Sequence, residues 1–274
     1  RFYPSDAQHD AFWMGLFEDS GRFTGDAVDT YETYGAGDMA QREPIPPNLA
    51  TLLRYEQIVW ECTGSGYNGR SGLWLDAGYR PLLGQYLRAG GKLWVGGVLT
   101  VAAMTPGSGT AADLTYPRET APGEFACDFL KLCSERIHNA KGGASPGTSR
   151  DDNLIGALAF PGKPVIYPSL EQDPDKINPY MGSISHTDAV FDPILLDGQP
   201  GFRGVLDSLY VYQAVRTNRT FHNKLNAVRW HDPDPDPLHG RVQWFGFPLY
   251  YMNKEQAQET FNRSIDWFRE EGVD

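Results

Sequence analysis

Tyr55–Met104, with the sequence YEQIVWECTGSGYNGRSGLWLDAGYRPLLGQYLRAGGKLWVGGVLTVAAM, is the segment that decides the fold. It begins with a short apolar run closed by Gly64 and ends in a second apolar run over Lys92–Val98. Between them lies a predicted helix that stops at Gly90-Gly91. Its apolar side chains share one stripe: Leu75, Tyr79, Leu82, Leu83, Tyr86 and Leu87. A strand, a helix and a strand at this spacing predict a right-handed crossover between two parallel strands.

The carboxyl ends of these two strands are where a parallel sheet binds its ligands. The first end is Cys62–Gly66, and the second is the turn Gly96–Thr100. The residues at these two places therefore carry most of the functional prediction.

Composition favours a soluble globular protein with a sizeable core. The chain has 274 residues, of which 41% are hydrophobic and 22% are charged, and we predict one α/β domain over residues 1–274. The net charge of −11 comes from 24 basic and 35 acidic residues, and it disfavours nucleic-acid partners. No apolar stretch approaches the roughly 20 residues that cross a bilayer, so we predict no membrane span.

Further elements are predicted on both sides of the central segment. Helices are predicted over Ser5–Ser20, Leu49–Arg54 with Asn48 as the N-cap, Glu124–Asn139 and Asn253–Glu271. Strands are predicted over Ala27–Tyr34, Asn153–Phe160, Val205–Ala214, Lys224–Trp230 and Arg241–Phe247. Weak periodicity and many turn residues indicate a long irregular insertion between about residues 105 and 204. The alternation of helices and strands elsewhere favours a mostly parallel sheet covered on both faces.

The chain has three cysteines, Cys62, Cys127 and Cys133. This number gives no disulfide framework. Cys127 and Cys133 lie six apart on a predicted helix, where they would point to different faces, so we expect no bridge between them. The redox compartment is left open by this count.

Four pieces of the sequence carry a family resemblance. They are LLRYEQIVWECTG (52–64), LGQYLRAGGKLWVGG (83–97), GRVQWFGFPLYY (240–251) and AQETFNRSIDWFREE (257–271). Their order and spacing resemble a class I glutamine amidotransferase-like domain, most closely the divergent accessory domains of large bacterial extracellular or surface proteins. The resemblance implies a flavodoxin-like, Rossmann-like fold of three α/β/α layers. It also implies a preceding strand, since the family fold begins with one and this chain opens on a helix.

Active members of that family use a Cys in a G-x-C-x-G turn and a His-Pro-Glu sequence after a late strand. Here the turn is Gly96-Gly97-Val98, with Gly97 or Val98 in the Cys position. The late-strand turn is Phe247-Pro248-Leu249. The resemblance therefore implies a retained fold without the nucleophile and the base.

Other candidate sites each have a simpler alternative. Cys62 ends a strand and is either a displaced nucleophile or a small buried residue. Gly64–Gly69 matches G-x-G-x-x-G, but the next strand lacks the acidic residue that a dinucleotide site needs, so we predict no cofactor. Asp232, Asp234 and Asp236 offer oxygens of the kind that Ca²⁺ prefers, or they form an exposed acidic turn stiffened by prolines.

The leading functional prediction is a non-catalytic accessory or structural domain of a larger exported bacterial protein, located outside the cell or at its surface, with the cytoplasm as the alternative location. It would act by packing against other domains or copies. One alternative is a hydrolase that uses Cys62 or Thr100 with a His from the insertion. Another is a carbohydrate-binding module, for which aromatic residues in loops would supply stacking surfaces: Tyr67, Trp74, Tyr116, Tyr180, Tyr250 and Tyr251.

Overall fold

The computed structural model of the protein describes ten stretches of the chain. They are residues 6–24, 27–31, 47–62, 79–101, 118–140, 150–161, 167–177, 182–191, 204–232 and 240–270. The helices are α1 (Asp6–Asp19), α2 (Leu49–Leu52), α3 (Tyr79–Arg88), α4 (Phe125–Asp128) and α5 (Lys254–Arg269). The strands are β1 (Gln57–Cys62), β2 (Lys92–Gly97), β3 (Arg118–Thr120), β4 (Ser134–Ala140), β5 (Leu154–Ala159), β6 (Leu170–Glu171), β7 (Thr187–Val190), β8 (Val205–Ala214), β9 (Leu225–His231) and β10 (Arg241–Phe245).

The predicted crossover is present and places β2 between two parallel neighbours. β1 pairs with β2 in parallel from Gln57 opposite Lys92 to Cys62 opposite Gly97, and β10 pairs with the other side of β2. α3 lies between β1 and β2 in the chain. Near the end of this helix, the Tyr86 hydroxyl donates to the carbonyl of Glu56, just before β1, over 2.9 Å. The parallel pairing of β1 and β2 is therefore confirmed.

Beyond β10 the sheet is antiparallel. β9 pairs antiparallel with β10, β8 and β7, and the chain of antiparallel pairs continues from β8 to β5 and β6 and from β7 to β4 and β3. Only the two pairings that involve β2 are parallel among the described strands. The expected flavodoxin-like, Rossmann-like three-layer α/β/α fold is therefore wrong, because the sheet is mixed, curled and largely antiparallel, with few helices.

The segment expected to be an irregular insertion forms part of this sheet. Strands β3 to β7 all come from residues 105–204, although only β5 matches a strand predicted there. β4 and β7 pair over four residues, and Val190 of β7 reaches Leu225 of β9. Short strands between Gly and Pro residues leave little periodicity in the sequence, and long-range pairing holds them in the sheet.

Side chains of β2 alternate between two cores. Trp94 faces a core that contains Trp13 and Leu16 of α1 and the buried stripe of α5, while Leu93 and Val95 face a second core with α3. The predicted stripe of α5 is confirmed, since Ala257, Phe261, Ile265 and Phe268 each keep at most 1% of their surface exposed. The Asn253 side chain caps α5 by accepting from the backbone N–H groups of Glu255 and Gln256.

Of the remaining local predictions, those for α1 and for the start of α2 were right, whereas one predicted strand and one predicted helix were wrong. α1 is confirmed, as is the cap of α2, where Asn48 Oδ1 accepts from the Thr51 N–H over 2.9 Å. Residues 27–31 form no strand, and the rest of the predicted Ala27–Tyr34 strand lies outside the described residues. The helix expected over Glu124–Asn139 ends after Asp128, because Lys131 adopts a φ of 57° and the chain turns into β4.

That turn brings Cys127 and Cys133 together. Their Cα atoms lie 4.5 Å apart, and a disulfide joins them. The expectation that they would not bridge assumed a continuous helix, and it is wrong because the helix ends between them.

Candidate functional site at the end of strand β2

The chain makes a strained turn directly after β2. Gly97 has a φ of 117°, Leu99 has a φ of 55°, and a helical segment begins at Thr100. A strand, a sharp strained turn and a helix form the geometry by which many hydrolases expose a nucleophile. The strained position here belongs to Leu99, one residue after the positions that the sequence suggested, and its side chain is apolar and only 8% exposed.

The second predicted turn lies against the first. The Gly97 N–H donates to the carbonyl of Phe247 over 3.2 Å. Phe247 is fully buried, and Leu249 and Val98 each keep 1% of their surface exposed. The structure therefore brings the two sequence-predicted turns together, and apolar side chains fill both.

A buried carboxylate holds the start of the helical segment. Asp188 of β7 is fully buried, and its Oδ2 accepts from the Thr100 hydroxyl over 2.9 Å and from the Val101 N–H over 3.0 Å. The Asp188 N–H in turn donates to the carbonyl of Gly246 over 2.7 Å. First-turn N–H groups of a helix favour an anion, and here the protein's own carboxylate takes that place.

Among the described residues, no histidine bonds to the Thr100 hydroxyl. The hydroxyl donates to Asp188 and accepts from Trp244 Nε1 over 2.8 Å, and the residue is fully buried. The nearby His186 contributes its backbone instead, since its carbonyl accepts from the Leu99 N–H over 2.9 Å. Its ring nitrogen Nδ1 lies 2.9 Å from the Ser185 hydroxyl. These bonds make Thr100 a structural connection between three strands.

A second buried carboxyl lies on the opposite face of β2. Glu61 keeps 6% of its side chain exposed and His9 of α1 keeps 9%, with 3.8 Å between Glu61 Oε1 and His9 Nε2. Neither oxygen of Glu61 has a hydrogen-bond donor among the described residues. Burial raises the pKa of Glu61 above its ordinary value of 4.5, and His9 opposes that change only in part.

Gly96 makes room for this carboxyl. Glu61 is paired directly with Gly96 in the β1–β2 ladder. A Cβ atom at position 96 would lie 2.8 Å from Glu61 Oε2 and 3.2 Å from Trp94 Nε1, closer than ordinary contacts allow. A glycine at this position therefore lets the acid lie flat against the end of β2.

Sequence reasoning missed both carboxyls. Glu61 had a usable signal, because it is a charged residue inside the apolar run of β1. Asp188 had none, since its segment was predicted to be irregular. His9 was one of six histidines without a metal-binding spacing.

The remaining predicted positions stay apart from this site or outside the described residues. The backbone of Cys62 pairs with Gly97, but its side chain is outside the described part. The glycine-rich loop 64–69 also lies outside it, as do Asp234 and Asp236, whereas Asp232 is half-buried after β9. Within the described stretches no three metal-binding side chains cluster, and Ca²⁺ binding stays a prediction.

Of the aromatic residues suggested for sugar stacking, Tyr250 and Tyr251 are described. Tyr251 is buried, and the ring of Tyr250 is half-buried and contacts both the Phe12 ring and the ammonium of Lys176. The described helices are each too short or too polar to cross a bilayer.

Comparison with known proteins adds little. No protein-family model matches the sequence, and no curated protein sequence matches it either. One solved structure, entitled "mmIFT52 N-terminal domain", is similar with a TM-score of 0.38 and 8% sequence identity, over 83% of this chain and 83% of that one. A likeness at this level carries no argument about fold or function. The expected kinship with class I glutamine amidotransferases is wrong, since no family model matches and the sheet is mixed.

Proposed function

We propose that this chain is a non-catalytic domain of an exported protein, acting by association with other domains or copies. The observation that carries the proposal is the turn after β2. Leu99 holds the strained position of that turn, and Asp188 already occupies the N–H group and the hydroxyl at the start of the following helical segment. A catalytic site of this geometry needs a nucleophile at the first place and a free anion site at the second.

The hydrogen bond between the two turns supports the same conclusion. Hydrolysis at such a turn needs space for a substrate carbonyl within about 3 Å of the nucleophile and its oxyanion donors. Here the Phe247 carbonyl accepts from the Gly97 N–H, and the surrounding side chains are buried.

The disulfide between Cys127 and Cys133 supports export. Disulfides persist in oxidising compartments and are rare in the cytosol of most organisms. The acidic surface implied by the net charge of −11 is compatible with this location and disfavours nucleic acid.

The edge of the sheet at β1 supports association. Among the described strands β1 has a neighbour on one side only. In a parallel ladder alternate residues bond to each side, and because Lys92 N donates to the carbonyl of Glu56, the N–H groups of Gln57 and Val59 face away from β2. An unpaired strand edge is a template for a strand from another chain.

The test of the non-catalytic character uses hydrolysis of p-nitrophenyl acetate and a p-nitroanilide by the full chain. We expect wild type, Thr100→Ala and Asp188→Asn to give the same background rate, with folding confirmed by circular dichroism. Turnover by wild type that either substitution abolishes would show that the turn is catalytic.

Association and export are tested separately. Sedimentation of the full chain at rising concentration should show self-association that Gln57→Pro removes and Gln57→Ala keeps. A wild-type chain that stays monomeric would contradict association between copies. For the disulfide on which the export argument rests, the Cys127→Ser/Cys133→Ser double variant should lose about 2 kcal/mol of unfolding free energy. Wild type should lose the same amount in reductant, and equal stability with and without reductant would contradict a structural disulfide.

A further inference from the structure

Glu61 and His9 form a buried acid–base pair that the turn after β2 does not use. The two side chains come from β1 and α1, and each is at least nine-tenths buried. Trp13 covers the pair from α1 by packing edge-on against Trp94 of β2, with 5.6 Å between the ring centroids. The pair therefore lies at the contact between the first half of α1 and the end of the parallel strands.

The hydrogen bonds indicate where the proton of this pair lies. Trp13 Nε1 donates to His9 Nε2 over 3.3 Å, so that nitrogen acts as an acceptor toward α1 itself. Neither oxygen of Glu61 receives a hydrogen bond from the described residues. A carboxylate without donors is costly to bury, whereas a neutral carboxylic acid is tolerated.

We propose that this pair is a pH-dependent switch for α1: with its proton the pair keeps the first half of α1 on the sheet, and without it that half detaches. Removal of the proton leaves a buried anion between Gly96, Trp94 and the His9 ring. Hydration of that anion requires α1 to move, because His9 of α1 lies against Glu61 and is held there by Trp13 of the same helix.

The second half of α1 is held by contacts that do not involve Glu61. Gln258 Nε2 of α5 donates to the carbonyl of Leu16 over 3.0 Å. Immediately after α1, Arg22 binds Asp266 of α5 through two hydrogen bonds of 2.6 Å and 2.5 Å. We therefore expect the movement to be confined to the turns before Leu16.

Few other charges face the pair among the described residues. β2 presents Trp94 and Gly96, α5 presents Phe261, and the 3₁₀ helix Leu249–Tyr251 presents Tyr250. Burial, followed by Asp173, raises the pKa of Tyr250, so its hydroxyl stays neutral over the range of interest. The Lys176 ammonium lies 5.0 Å from the ring centroid of Phe12 in α1 and 5.3 Å from that of Tyr250, and it is paired with Asp173.

The sign of the pH effect follows from the raised pKa of Glu61. The folded protein binds this proton more tightly than the unfolded chain does. The stabilising contribution is therefore complete below the unfolded value of 4.5 and is lost as pH rises through the higher folded value. Rising pH detaches the first half of α1.

Amide hydrogen exchange of the full chain, followed by mass spectrometry at about pH 5 and about pH 9, tests this switch. After correction for the intrinsic pH dependence of exchange, amides over residues 10–13 should exchange at least about tenfold faster at the higher pH. Amides over residues 16–20 should not change. Glu61→Gln should abolish the difference, because the amide cannot ionise.

Glu18→Gln is the matched control, since Glu18 is an exposed carboxyl on the same helix. It should keep the wild-type transition. Equal protection of residues 10–13 at both pH values, or a transition that survives Glu61→Gln, would overturn the proposal. If Glu61→Gln does not fold, infrared spectroscopy of wild type decides: the band of a protonated carboxyl must disappear together with the protection, and a carboxyl ionised throughout would also overturn the proposal.

Discussion

Asp188 and Glu61 are two buried carboxyl groups on either side of the end of β2, and the protein treats them differently. Asp188 is fully buried and accepts hydrogen bonds from the Thr100 hydroxyl and the Val101 N–H. Glu61 is nearly as buried, yet its oxygens have no hydrogen-bond donor among the described residues, and the nearest nitrogen of His9 is 3.8 Å away.

The comparison shows that donors, more than burial, decide what a buried acid does. An anion that receives hydrogen bonds from fixed groups is stable in the interior and can serve as a structural connection. A carboxyl without donors keeps its proton and becomes sensitive to pH. The end of β2 therefore lies between two different acids: Asp188, which is held by fixed hydrogen bonds, and Glu61, which responds to pH.

The largest expected effect comes from replacing each acid by its amide and comparing the loss of stability at Asp188 with that at Glu61. At about pH 7, Asp188→Asn should lower the free energy of unfolding by about 3 kcal/mol, because two hydrogen bonds to a buried carboxylate are weakened. Glu61→Gln should change it by less than about 1 kcal/mol, since burial raises the pKa of Glu61 and so disfavours the charge that the amide removes. Urea unfolding of both variants measures the difference.

Equal losses in the two variants would contradict the distinction between the acids. Asp19→Asn serves as a surface control, because the Asp19 side chain is 52% exposed and pairs with the exposed Lys254. Its effect should stay below about 1 kcal/mol.

A smaller effect tests whether Gly96 makes room for Glu61. Gly96→Ala should cost about 2 kcal/mol, because the new methyl group collides with Glu61 Oε2 and Trp94 Nε1. Gly15→Ala in α1 meets no atom within 4 Å and should stabilise the protein by up to about 1 kcal/mol. Thermal unfolding of the two variants should therefore shift in opposite directions, and a tolerated Gly96→Ala would contradict the position of the carboxyl.

The smallest effect concerns the strain at Leu99. Alanine is ordinarily more stable than glycine in a folded segment, but at a φ of 55° the preference reverses. We expect Leu99→Gly to be more stable than Leu99→Ala by about 1 kcal/mol. Val98 does not share the positive φ, so Val98→Gly should be less stable than Val98→Ala. The same order at both positions would show that Leu99 is not strained.

Sequence reasoning succeeded where the physical signal is local. The apolar stripe of α5, the Asn48 cap and the crossover from β1 through α3 to β2 all follow from periodicity and turn residues within a few positions. The turn at Phe247 was singled out only through the family resemblance, which is wrong, although the Gly97 N–H does donate to the Phe247 carbonyl.

Sequence reasoning failed where the outcome depends on distant partners. The helix predicted over Glu124–Asn139 had the right spacing of apolar residues. In the structure, the disulfide and the pairing of β4 with β7 take the place of its second half, and neither depends on local sequence alone. The predicted fold class was wrong for a related reason. Whether a strand pairs parallel or antiparallel depends on where the chain returns, and an apolar run shows that a strand is buried but not in which direction it runs.

By itself, then, the sequence determined the strong helices, the apolar strands around β2 and the absence of a nucleophile at Gly96, Gly97 and Val98. Only the tertiary structure decided that the sheet is mixed, that Leu99 holds the strained position, and that Asp188 and Glu61 lie beside it. The physical reason is that periodicity reports which face of an element is buried, whereas the hydrogen-bond donors and the charges around a buried acid come from residues far apart in the chain.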